Sequence, residues 1–142
     1  MMSIIAVSAF PVCAAEKRVR PFKTFKIGKV SFKSELNKEF VLNNKNKRAY
    51  VRDHSINVSD KKVNKTKKGN RLKVKLKKGY KATISMDYYT KNWDDMPTQK
   101  LKNGKALKAG WNNIICIMIT VKKGKKWSGT YFLTNHGNTE ME

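Results

Sequence analysis

The unbroken apolar run Ile114-Ile115-Cys116-Ile117-Met118-Ile119, continued at Val121, constrains this chain more than any other stretch. Gly110 precedes it, Gly124 follows it, and it is shorter than a typical buried helix. Its isoleucines are β-branched, which costs rotamer freedom in a helix and favours packing on a pleated surface. The run therefore reads as a central strand covered on both faces. Alternation directs Ile115, Ile117, Ile119 and Val121 to one side, and Ile114, Cys116 and Met118 to the other. Lys122, Lys123, Gly124, Lys125 and Lys126 supply a turn. Trp127, Thr130, Tyr131, Phe132 and Leu133 then form the returning strand of a β-hairpin.

The rest of the chain repeats this grammar in shorter pieces. Phe22, Phe25, Ile27, Val30 and Phe32 are spaced among lysines around Gly28, giving one bent strand or two short ones. Phe40-Val41-Leu42 is a strand that ends in the turn Asn43-Asn44-Lys45-Asn46. Ala49-Tyr50-Val51 and residues 56–58 are short strands around Asp53-His54. Leu72, Val74 and Leu76 alternate with Lys73, Lys75 and Lys77, the pattern of a half-buried strand. Lys78-Gly79 turns the chain into a strand over residues 80–89, with Ala82, Ile84 and Met86 inward. Residues 60–70 and 91–99 read as loops, and Asn103-Gly104 is a hairpin-turn signal. No stretch keeps a helical hydrophobic period. The expectation is an all-β, antiparallel sandwich of about seven to eight short strands in one domain.

Residues 1–15 carry no charge, whereas Glu16-Lys17-Arg18 opens a strongly charged region. The apolar stretch 4–12 and the small residues Cys13, Ala14 and Ala15 read as a signal peptide cut before Ala15 or Glu16. The stretch is too short to span a bilayer, so the mature chain is expected to have no transmembrane segment. The division is then 1–15 signal peptide, 16–134 sandwich domain and 135–142 a polar, frayed tail. Cys116 is expected to be a small core hydrophobe, and with Cys13 in the leader no disulfide framework is expected.

Asn103-Gly104, Gly110-Trp111-Asn112, the alternating Ile115/Ile117/Ile119/Val121, Gly124 and Tyr131-Phe132-Leu133 together resemble the C-terminal half of bacterial immunoglobulin-like and cadherin-like β-sandwich domains. The resemblance covers about a quarter of the chain. It implies an immunoglobulin-like sandwich, a secreted or surface-exposed module of Firmicute-type bacteria used as spacer, adhesin or ligand-binding domain. It implies no catalytic residues.

The formal net charge is +22. Arginine is confined to Arg18, Arg20, Arg48, Arg52 and Arg71, so lysine carries most of it. Lysine attracts polyanions at long range but offers no bidentate fork for reading phosphates or bases. Three basic tracts are candidate polyanion-binding residues: Lys61, Lys62, Lys65, Lys67 and Lys68 in one loop; Arg71, Lys73, Lys75 and Lys77 along a strand; Lys122, Lys123, Lys125 and Lys126 on the last hairpin. Tyr88, Tyr89, Trp93, Trp111 and Trp127 are aromatic candidates for stacking on sugars or bases. Partners of this chemistry are teichoic acid, glycosaminoglycan and extracellular DNA.

No enzyme, metal or cofactor is expected. His54 and His136 lack ligand-spaced partners, Asp87, Asp94 and Asp95 lack the pattern of a calcium loop, and no nucleophile elbow or phosphate-binding loop is present. The leading expectation is a secreted or cell-surface binding module. The alternative is an intracellular or phage-encoded nucleic-acid-binding β-domain.

Overall fold

The computed structural model describes residues 16–43, 48–51, 58–125 and 127–135. The fold is all-β and sandwich-like, with strands β1 (Glu16–Arg18), β2 (Phe22–Ile27), β3 (Val30–Ser31), β4 (Phe40–Asn43) and β5 (Arg48–Val51) in the first part of the chain. The second part supplies β6 (Leu72–Leu76), β7 (Tyr80–Tyr88), β8 (Thr98–Leu101), β9 (Ile114–Lys123) and β10 (Trp127–Thr134). These ten exceed the expected number mainly because β1 and β3 are only a few residues long. All pairings are antiparallel, in sheets ordered β1-β4-β5, β3-β2-β6 and β10-β9-β7-β8.

β9 is central in the four-stranded sheet, as its composition requires. Ile117, Ile119 and Val121 are fully buried. Two details differ from simple alternation. Asp87 lies opposite Cys116 but Tyr88 lies opposite Ile114, so β9 carries an extra residue there. That bulge rotates Ile114 into the core beside Ile117 and takes Ile115 out of the core cluster. Nor is β9 covered on both faces: Met118 is 40% exposed and Cys116 is half-buried. The Cys116 thiol lies on the outward face, 3.9 Å from an Asp87 carboxylate oxygen, and not in the core.

One continuous core joins the sheets. Phe22, Phe25 and Ile27 of β2, Leu72 of β6, Ile84 and Met86 of β7, Ile114, Ile117 and Ile119 of β9, and Tyr131 and Leu133 of β10 all belong to it. Tyr131 meets Phe22 and Phe40 edge-on, at 6.4 and 4.4 Å between ring centres. Gly129, next to Tyr131's strand neighbours, is required by the Phe40 ring, which occupies the space a Cβ would take. β5 runs close against β10, which ties the three-stranded N-terminal sheet to the larger one.

Helices appear where the periodicity gave none. α1 (Lys33–Glu39) and the single turn α2 (Asp60–Val63) interrupt the strands, the latter within the segment read as a loop. α1 is too short to show a hydrophobic period; tertiary contacts hold it. Leu36 is fully buried, and the buried Asn37 amide accepts from the Phe22 N–H (3.1 Å) and donates to the Phe22 carbonyl (3.0 Å). The turn signalled by Asn103-Gly104 forms, with Lys105 N–H donating to Lys102 O and Gly104 at φ 88°. It makes no hairpin: β8 pairs with β7, and the chain beyond the turn returns along β6. There Leu72 N–H donates to Lys105 O, Gly104 N–H to Leu72 O, and the Asn103 side chain accepts from Val74 N–H.

The expected loop at 91–99 closes early, because β8 starts at Thr98. Val58 lies outside any strand, while residues 56 and 57 fall outside the described residues. Asn135, expected to fray, is anchored: its N–H donates to Ile115 O and its amide to Trp111 O. The expected leader 1–15, His54, and His136 with the rest of the tail lie outside the described residues. Among the described residues, no helix is long and apolar enough to cross a membrane.

Candidate polyanion-binding surface

The outward face of β3-β2-β6 follows from strand alternation. Phe25, Ile27 and Leu72 turn inward, so Lys26 and Lys73 turn outward, directly opposite each other across the ladder. Ser31 of β3 is the other neighbour of Lys26, and Thr24 lies opposite Lys75. Lys23, thrown outward by the register shift between Phe22 and Thr24, and Lys77 at the end of β6 are also exposed. Like charges directly opposite each other destabilise a strand pair. None of Lys26, Lys73 and Lys75 has a carboxylate partner among the described residues.

This face continues into a cleft of about 270 Å³ lined by Lys29, Ser31, Ser59, Lys61, Lys62 and Lys65, with Val30 at its base. α2 brings Lys61 and Lys62 up to the β2–β3 turn, and Ser31 links the cleft to the Lys26–Lys73 row. Lys62 is the exception among these cations. Its ammonium pairs with Glu35 of α1 and lies 5.4 Å from the Phe32 ring centre, so it fastens α2 to α1.

The structure thus brings Lys61, Lys65, Lys73, Lys75 and Lys77 onto one surface and adds Lys23, Lys26 and Lys29, which sequence reading passed over as spacers between apolar residues. Lys26 becomes identifiable only once the β2–β6 register is known. The remaining candidates lie elsewhere. Arg71 is exposed but donates to the Gly104 carbonyl at 2.7 Å, which holds the returning chain. Lys67 and Lys68 face a separate cleft beside Gly110. Lys122 and Lys125 belong to the β9–β10 end, with Lys122 opposite Lys81. Lys123 lies over the Tyr80 ring at 4.9 Å, packed as much as charged. Lys126 lies outside the described residues.

The aromatic candidates divide too. Trp111 is 9% exposed and stacks on Phe32 at 6.4 Å, so it packs the core and offers no ring to a ligand. Trp93 is 43% exposed, with its ring 5.3 Å from that of Tyr89. Asp87 accepts from the Thr98 hydroxyl at 2.6 Å, and among the described residues no three His, Cys, Asp or Glu side chains gather as a metal site would need. No family model, curated protein or solved structure matches this chain.

Proposed function

We propose that this protein is a secreted, non-enzymatic module of the cell surface or cell wall that binds anionic polymers through lysine. In this reading it is a sandwich of the immunoglobulin-like type that its C-terminal sequence resembles. The supporting observation is the Lys26–Lys73 pair. Two ammonium groups placed opposite each other, with Lys75 and Lys77 beside them and no carboxylate among the described residues to offset them, weaken the sheet they stand on. An extended polyanion laid across the face removes that repulsion and releases its own condensed counterions. Binding of this kind follows charge density and not sequence, so teichoic acid, glycosaminoglycan and DNA are all accepted.

The test is titration of heparin and of duplex DNA of unrelated sequences between about 50 and 200 mM salt, a range over which affinity should fall by orders of magnitude. Substituting Lys26, Lys73 and Lys75 together by glutamine should weaken every one of these complexes and flatten their salt dependence. Affinity that ignores salt overturns the proposal. A strong preference for one DNA sequence would transfer the protein to the nucleic-acid-binding class.

A further inference from the structure

The loop end of the sandwich gathers a second set of cations, in a setting the open sheet face lacks. Two adjoining clefts flank Gly110 and share Lys68, Gly110 and Asn113. One, of about 470 Å³, is lined further by Asn64, Thr66 and Lys67 and by the short 3-10 turn Trp111–Asn113. The other, of about 360 Å³, is lined by Tyr88, Tyr89, Thr90, Lys91 and Lys108. Both volumes suit a small ligand or one unit of a polymer. Among the described residues no carboxylate lines either cleft. Gly110 is what joins them: a Cβ there would come within 3.2 Å of the Lys68 backbone nitrogen, so a side chain would push the two walls apart.

Two features point to an occupant. Thr66 is 2% exposed, yet its hydroxyl has no hydrogen-bond partner, and the Thr90 hydroxyl is likewise buried without one. Buried hydroxyls are normally satisfied, and an orphan costs free energy that a ligand can recover. Beside the second cleft, Trp93 holds φ at 62°, alone among the described non-glycine residues in the left-handed region. That conformation is unfavourable for a bulky side chain and leaves the indole exposed against Tyr89.

We propose that this paired cleft binds one acidic sugar unit of the anionic polymer. The inference rests on the polyanion reading above and gives it a specific contact. Lys68, Lys91 and Lys108 take the carboxylate, sulfate or phosphate; the Asn64 and Asn113 amides and the Thr66 hydroxyl meet ring hydroxyls; Trp93, backed by the buried Tyr89, covers the apolar face of the ring. Amides and hydroxyls of this density match a polyhydroxylated ring better than a nucleobase, for which no arginine fork is present at the site.

The test compares a heparin tetrasaccharide, a glycerol-phosphate oligomer, inorganic polyphosphate and a single-stranded oligonucleotide at fixed salt, with melting curves to verify each variant's fold. Trp93→Ala should weaken tetrasaccharide binding about tenfold, the value of one stacked ring, while polyphosphate affinity stays within about twofold. Thr66→Val, which keeps the shape and removes the hydroxyl, should weaken the tetrasaccharide alone. The Lys26/Lys73/Lys75→Gln variant should show the reverse order of losses. The glycerol-phosphate oligomer carries phosphate and hydroxyls but no ring, so Trp93→Ala should leave its affinity within about twofold while weakening the tetrasaccharide. Unchanged tetrasaccharide affinity in both Trp93→Ala and Thr66→Val overturns the cleft while leaving the polymer reading intact. Failure of the parent to bind any probe overturns both. Tighter binding of the oligonucleotide than of the tetrasaccharide overturns the sugar assignment.

Discussion

The two outward sheet faces carry different chemistry over one shared core. On β3-β2-β6 the exposed rows are Ser31–Lys26–Lys73 and Thr24–Lys75. On β10-β9-β7-β8 they run Ser128–Lys122–Lys81, then Thr130–Thr120–Thr83, then Phe132–Met118–Ser85–Lys100. The Thr120 and Thr130 hydroxyls bond each other at 3.0 Å. The larger face is half-buried to exposed, with hydroxyls at its centre and lysines near its margins, so solubility does not demand a lysine at every outward position. Edge protection does not explain the smaller face either, because the free edge of β6 is already closed by the chain at Asn103 and Lys105. Each face carries one directly opposed lysine pair, Lys26–Lys73 on the smaller and Lys122–Lys81 on the larger. The smaller face differs in that Lys23, Lys75 and Lys77 crowd around its pair, so its charge is denser.

The largest expected effect removes the layer beneath the larger face. Ile117→Ala should cost roughly 2–5 kcal/mol through lost burial and a residual cavity. Met118→Ala, one residue along but outward, should stay within about 1 kcal/mol; denaturant midpoints of the two decide whether β9 has one buried side or two.

Tyr131 tests the same layer from β10. Its hydroxyl is buried with no hydrogen-bond partner, and burial pushes it well above its ordinary value of 10.0. The folded state therefore holds the phenolic proton more tightly than the unfolded chain does. This contribution to stability is complete below about pH 10 and is lost progressively as pH rises above it. Tyr131→Phe should raise stability by up to about 1–3 kcal/mol at neutral pH and remove that alkaline loss, as melting curves from pH 8 to 11.5 would show.

Next is the contrast between faces in binding. Lys26/Lys73/Lys75→Gln should lower heparin affinity about tenfold at low salt and make the logarithmic salt slope shallower by up to about 3. Thr83/Thr120/Thr130→Ser should leave both unchanged, and equal losses in the two variants would erase the distinction. The smallest effect is Lys73→Thr alone, which should stabilise the fold by about 0.2–1 kcal/mol by relieving Lys26. A destabilised Lys73→Thr would show that the opposed lysines are not a cost.

The strands whose alternation is strict were readable without coordinates. β6, β7 and most of β9 declare their inward residues at every second position, because one side of each meets the core. Ile114 and Ile115 were not readable, since a bulge is a property of two paired strands and leaves no periodic mark on one. Helix α1 escaped for a related reason: in Lys-Ser-Glu-Leu-Asn-Lys-Glu only Leu36 is apolar, and Asn37 is held by a partner fifteen residues away. The lysine tracts were conspicuous, but their grouping depends on register and on loop packing. The Gly110 clefts draw on three separate loops, and only Gly110 and its neighbouring asparagines hinted at a corner.

The clamp between Asn37 and Phe22 bears on the order in which the chain assembles. Phe22 has two kinds of partner: the Asn37 side chain, close along the chain, and the strand ladder to Leu76, much farther along it. Closing the shorter loop forfeits less chain entropy, and it can be completed before any of the later strands has been synthesised. The β2–β3 hairpin and α1 thus form a local unit with their backbone groups at Phe22 already satisfied. β6 then finds an edge that is pre-aligned, and the lysine face comes into existence only at that late step.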